Sequence, residues 1–241
     1  MKTVMARNYR TILLSLAAAF AWAATGNIGD DLLHARDTQN LNVLDGLIAQ
    51  YRQQAQADPK SAEAQYRLAL ANSYAAEVAM ELRDKKKSES YAEAGMDAAK
   101  QAVAQKPSEA EYHRLLGELC GQVIPANPFF GALKYGQCAK DEIDKALQLN
   151  HKLAMAYVSR GVGNYYLPPA MGGGPDVAVK DFDQAIAIDP KLAEAYLWKG
   201  IALRKANKDA EARQNLERAV ALDPNRVWAK QQLEKTPAPA R

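Results

Sequence analysis

The chain of 241 residues has little cysteine and little histidine: Cys120 and Cys138, and the widely spaced His34, His113 and His151. That leaves no clustered set at the spacing a structural zinc site needs, so no metal and no cofactor are expected. No G-x-S-x-G, H-E-x-x-H or C-x-x-C occurs, no histidine neighbours a cysteine in sequence, and the carboxylates are scattered on helical faces beside Lys or Arg. Nothing therefore nominates a catalytic residue. Aromatics make up only 7% of the chain, whereas alanine is abundant. Alanine has the highest helix propensity and lets backbones approach, so the composition is that of closely packed helices. A hydrophobic fraction of 48% against 24% charged excludes a wholly disordered chain and a polytopic membrane protein.

A long apolar run is also missing. The first 24 residues, MKTVMARNYRTILLSLAAAFAWAA, place Lys2, Arg7 and Arg10 before an apolar stretch from Ile12 to Trp22. That stretch falls well short of the ~20 residues of a spanning helix and is followed by the A-x-A pattern Ala21-Trp22-Ala23, the mark of a secretory signal peptide. Residues 1–23 are expected to be removed, giving an exported protein, periplasmic or secreted, with no stable membrane insertion afterwards. The formal charge of +3 goes with them: the leader holds three cations and no acid, which leaves 28 cations against 28 acids. A neutral mature chain argues against a nucleic-acid or acidic-membrane partner.

What the sequence does have is an internal repeat. HKLAMAYVSRG from His151 returns as PKLAEAYLWKG from Pro190, and KDEIDKALQLN from Lys140 returns as KDFDQAIAIDP from Lys180. A third copy, ARQNLERAVALDP, ends at Pro224, and weaker unit ends occur at Pro59 and Pro107. Each unit reads as two helices with a small residue (Ala69, Gly117, Gly161, Gly200) midway along the first, and with the proline opening the next. Small residues let the paired helices approach while Tyr157, Phe182 and Tyr196 fill the space to the next pair, so these positions read as core.

The spacing of Tyr196, Gly200, Leu203, Ala212, Leu216, Ala219 and Pro224 resembles the tetratricopeptide repeat, departing from it at Lys199. The preceding unit matches through Tyr157, Gly161, Ala178, Phe182, Ala185 and Pro190 with five extra residues between its helices. Earlier units match through Leu116, Gly117, Ala139, Ile143 and Ala146, and through Leu68, Ala69 and Ala102. The resemblance implies an all-α protein, a right-handed α-solenoid of antiparallel helix pairs, that binds a partner and catalyses nothing. The expected layout is a flexible tether over 24–41, a solenoid over 42–224 of an N-terminal helix plus about four pairs, a capping helix over 225–235 and a disordered tail over 236–241. Lys85-Lys86-Lys87 reads as a solvated turn.

Two insertions interrupt the repeat. Gln122 to Gln137, QVIPANPFFGALKYGQ, carries Phe129 and Phe130, which a solvated loop would expose at a cost. The loop is expected to fold back on the solenoid, with ligand contact as the alternative. YYLPPAMGGGP, Tyr165 to Pro175, reads as a bend that lengthens its hairpin: no Lys-Ser or Lys-Thr follows the glycines, and Asp176 would repel an anion. This pairing of an NPFF-like and a Pro-x-Met-Gly-Gly-Gly insertion is similar to a group of exported bacterial tetratricopeptide proteins. Cys120 and Cys138 flank the first insertion and are disulfide candidates, with two free thiols as the alternative.

In this fold the first helix of each pair lines the concave side. Helical phase puts Tyr66, Tyr74, Arg114, Glu118, Val158, Val162, Tyr165, Tyr166, Leu197, Ile201, Arg204 and Lys205 there, a surface suited to an extended peptide or an amphipathic helix. The expected function is a protein-interaction scaffold, self-association included; the alternative is a small-molecule-binding accessory component of a substrate-binding-protein-dependent transporter, with Phe129-Phe130 at its pocket.

Overall fold

Side chains that can satisfy the free N–H groups of a helix start set the boundaries of the early helices. Asn40, Ser61 and Asp84 each accept from the backbone N–H three residues on. The computed structural model describes residues 28–126 and 128–238, and the expected leader over 1–23 lies outside them. Among the described residues the chain is all-helical: α1 Ile28–Asp37, α2 Leu41–Ala57, α3 Ala62–Glu81, α4 Lys85–Gln105, α5 Ala110–Val123, α6 Pro128–Leu149, α7 Ala154–Tyr166, α8 Pro175–Ile188, α9 Ala193–Lys205, α10 Asp209–Leu222 and α11 Val227–Glu234. Consecutive helices pair, and α3, α5, α7 and α9 also pack on one another, so the first helices of the units form the inner layer of an α-solenoid.

The core follows the small-residue pattern. A Cβ on Gly161 would lie 2.5 Å from the Phe182 ring, and one on Gly200 would lie 2.6 Å from Leu216 Cγ. Phe182 and Leu216 are themselves fully buried. Glycine at these two places sets how closely α7 meets α8 and α9 meets α10.

Several expectations are corrected. The repeat prolines do not open helices. Pro59, Pro107, Pro190 and Pro224 sit second in four-residue turns closed by Ser61 N–H to Asp58 O, Glu109 N–H to Lys106 O, Leu192 N–H to Asp189 O and Arg226 N–H to Asp223 O. Proline's fixed φ suits that position. The tether expected over 24–41 is helical from Ile28 to Asp37, because Leu32 and Ala35 bury against Leu44, Ile48, Ala71, Ala75 and Val78. The lysine triplet is the first turn of α4, capped by Asp84, and the turn itself is Leu82 to Asp84. Most of the first insertion is helix α6, preceded by a 3-10 turn over Ile124–Ala126. Its phenylalanines do not fold back: Phe129 and Phe130 are 76% and 64% exposed. Thr236, assigned to a disordered tail, is buried and accepts from Arg204.

In the second insertion Gly172 and Gly174 take positive φ values of 83° and 108°, and Gly174 N–H donates to Asn164 O at 2.8 Å. The bend closes back on α7, and Pro175 opens α8.

Candidate partner-binding face

The inner layer divides into a charged half and an aromatic half. In the charged half, Arg114 on α5 is buried and pairs with Glu111 at 2.6 Å and with Glu118 one turn on. Glu118 also accepts from Ser73 on α3 at 3.0 Å and Ser159 on α7 at 2.9 Å, so one carboxylate ties three inner helices together. Tyr66 stacks on Tyr112 with ring centroids 4.9 Å apart, and the guanidinium of Arg36 lies 5.0 Å from the Tyr74 ring.

The segments around α1 and α11 meet here. Arg226, just ahead of α11, is 1% exposed and pairs with Glu77 at 2.6 Å, with Glu81, and with Glu194 at 3.5 Å. Asp37 lies 3.9 Å from its guanidinium and pairs with Arg36 at 2.6 Å. Gln231 of α11 reaches Gln39 beyond α1. Desolvation lifts the Glu77 carboxyl to about 8 against the opposing pull of Arg226 and Arg36. Burial likewise raises Asp37 and Glu81, whereas Arg226 and Arg36 overcome the burial of Glu194 and hold it below the usual carboxylate range. The solenoid is thus closed on itself by a buried ion cluster that fills its concave side near α1 and α3.

That closure decides which of the candidate contact residues can touch anything. Arg114, Val158, Leu197 and Ile201 are buried and belong to the core or to the ion network. The reason for the mismatch is that neighbouring first helices pack directly, covering positions that phase alone places on an open groove. Tyr66, Tyr74 and Val162 are half-buried. Arg204 is held by Gln232 and Thr236. Lys205 donates to Tyr165 O at 2.9 Å and stands 4.1 Å over its ring.

The aromatic half is accessible. Tyr165 meets Tyr166 edge-on at 4.9 Å and Trp198 at 5.9 Å, and Trp198 meets Trp228 at 5.2 Å. These four rings span α7, α9 and α11, and Tyr166 is 58% exposed while the others are half-buried. Trp198 and Trp228 were not among the groove candidates: unit spacing aligns Trp198 with Ser159 and Trp228 with Glu194, so no shared repeat position marked them, and only the packing of α7, α9 and α11 brings their rings to Tyr165.

Cys120, on α5, is disulfide-bonded to Cys138, on α6, across a Cα separation of 6.0 Å. Phe129 and Phe130 contact each other edge-on, with ring centroids 5.3 Å apart. Two clefts, of about 350 and 340 Å³, lie beside Asp30, His34 and Asp223 and beside Arg52, Pro59 and Gln101. Neither is lined by Tyr165, Tyr166 or Phe130. Among the described residues no Cys, His, Asp and Glu grouping could hold a metal ion, and no helix is long and apolar enough to cross a membrane.

Antiparallel helix pairs stacked with glycine-mediated close approaches and a lined inner face define a tetratricopeptide-type α-solenoid, a fold generally used for non-catalytic scaffolding. Residues 193–226 match the tetratricopeptide repeat model. Residues 28–167 match the model described as regulator of microtubule dynamics protein 1-3, and the chain belongs to that family. Comparison with curated proteins gave no match. Among solved structures, TTC0263, a thermophilic tetratricopeptide protein of Thermus thermophilus, is similar with a TM-score of 0.59 at 18% identity, over 86% of this chain and 99% of that one. MamA aligns with a TM-score of 0.41 at 23% identity over 76% and 90% of the two chains. YrrB, described as a tetratricopeptide protein with an unusual peptide-binding site, aligns at 0.42 and 16% identity over 86% and 98%.

Proposed function

We propose that this protein is a non-enzymatic, exported interaction scaffold whose partner is a protein segment laid across Tyr165, Tyr166, Trp198 and Trp228. The observation that carries the reading is the run of four rings, Tyr166 exposed and the others half-buried, across three successive inner helices. Aromatic rings present large contact area with few rotatable bonds, and together with Lys205 they suit an apolar segment that carries an acidic group. The leader pattern of residues 1–23 supports export, and a disulfide fits an oxidising compartment.

The test is a photo-crosslinking side chain at Tyr166 in the cells that make the protein, with one at the exposed Lys100 of α4 as the control. A discrete protein adduct is expected from position 166 only, lost when Trp198→Ala is added. A co-purifying small molecule with no protein adduct would instead establish the ligand-binding alternative.

A further inference from the structure

Because each pair is an antiparallel hairpin, the turns inside the pairs lie along one rim of the solenoid and the turns between pairs along the other. The first rim carries Leu82, Phe129, Phe130, Leu133, Tyr166 and Met171, six of the nine exposed large apolar side chains among the described residues, and Val43 adds a seventh where α1 turns into α2. On the opposite rim only Leu149, at the end of α6, is of that kind.

Charge follows the same division. Arg83, Lys85, Lys86 and Lys87 are exposed, and no ion pair among the described residues engages them. Lys134 extends over the Tyr135 ring next to the phenylalanines. The acids beside this cluster are engaged: Asp84 caps α4, Glu89 is half-buried on α4, and Asp45 and Glu93 accept from Tyr91 and Tyr135, while Asp176, Asp209 and Glu211 lie further along the rim with Lys208. On the opposite rim, Lys60, Lys106, Lys152 and Lys191 alternate with Asp58, Glu109, Asp189 and Asp223. The balance over the whole chain conceals a local cluster of unpaired cations, Arg83 and Lys85 to Lys87, on this apolar rim.

The two properties are adjacent in space. The 3-10 turn over Ile124–Ala126 packs on α4, and Tyr135 of α6 reaches Glu93 of α4 at 3.3 Å. This places the start of α6, with its phenylalanines, beside the lysine-bearing end of α4.

We infer that this rim docks on an anionic phospholipid surface, with Phe129, Phe130 and Leu133 entering the interface and Arg83 and Lys85 to Lys87 at headgroup level. Apolar side chains on protruding hairpin turns, ringed by cations, suit a plane of charged headgroups over acyl chains. A protein partner would need to supply a cavity for each tip. The docking is peripheral, since among the described residues no helix is long and apolar enough to cross a membrane, and it uses the α3–α4 and α5–α6 turns rather than Trp198 and Trp228.

The test is vesicle co-sedimentation of the chain from Ala24 onward, which holds every described residue and none of the leader. Binding is expected to phosphatidylcholine vesicles containing phosphatidylglycerol, and not to phosphatidylcholine alone. Each cation near such a surface contributes roughly fivefold in affinity, so neutralising Lys85, Lys86 and Lys87 to Gln should lower it on the order of a hundredfold. Phe129→Ser with Phe130→Ser should abolish it, while the opposite-rim variant Lys60→Gln, Lys106→Gln, Lys152→Gln should bind as the parent does. Unchanged melting curves establish that each variant is folded. No binding to the anionic vesicles, or an equal loss from the opposite-rim variant, would overturn the proposal. So would concentration-dependent dimerisation abolished by the phenylalanine variant without vesicle binding, which would make the rim a contact between two copies.

Discussion

The guanidinium of Arg226 lies 2.6 Å from the carboxylate of Glu77, a pair separated by 149 residues that joins the last helix to the third. Around it Glu81 and Glu194 complete a buried cluster that makes the ends of the solenoid one structural unit. Above about pH 8, where Glu77 is ionised, Arg226→Ala leaves buried carboxylates without their counter-ion and should destabilise the protein by about 3 to 5 kcal/mol, measured by urea unfolding. An unchanged unfolding midpoint would mean that the closure contributes nothing.

The same cluster sets a pH dependence. Glu77 binds its proton up to about 8 in the folded protein and only to the ordinary carboxylate range when unfolded. Between roughly 4.5 and 8 the folded state therefore holds more protons than the unfolded, and stability falls as pH rises. Asp37 and Glu81, also raised, act in the same direction, and Glu194, lowered, is ionised in both states over this window. Thermal melting should drop from pH 5 towards pH 8, and Glu77→Gln should flatten the profile. A melting temperature that climbs over that interval would contradict the assignment.

Reduction of the Cys120–Cys138 bond releases a closed loop of 18 residues' separation, which corresponds to about 3 kcal/mol of chain entropy. Denaturation with and without reductant should differ by about that amount. Hydrogen exchange should quicken most over residues 124–137, next to the phenylalanine-bearing start of α6; uniform exchange along the chain would show that the bond does not anchor that segment.

Two glycines of one helix provide an internally controlled test of packing. Gly161→Ala places a methyl group against the fully buried Phe182 ring, whereas nothing lies within 4 Å of a Cβ at Gly163. Gly163→Ala should stabilise by roughly 0.5–1 kcal/mol through helix propensity, and Gly161→Ala should destabilise by about 1–3 kcal/mol through overpacking. Equal effects on the melting temperature would reject the close approach of α7 to α8.

The sequence by itself determined the repeated helix pair. The recurrence of small and large residues at Gly161, Phe182, Gly200 and Leu216 is local in each unit, and a local period needs no knowledge of the rest of the chain. It also marked both insertions and the cysteines that flank the first. It missed α1, because two buried apolar positions, Leu32 and Ala35, are too few to raise a helical period above a polar background. It overstated the open groove, because helical phase tells which side of α5 or α9 Arg114 and Leu197 occupy and not whether the neighbouring inner helix covers them. It also expected Phe129 and Phe130 to fold back on the solenoid, whereas they are exposed, since a segment of that composition can bury its rings or present them. Only the tertiary structure settled these points and brought Arg226 to Glu77. Closure depends on how much each pair rotates against the next, a quantity that accumulates over the whole stack and appears in no single repeat.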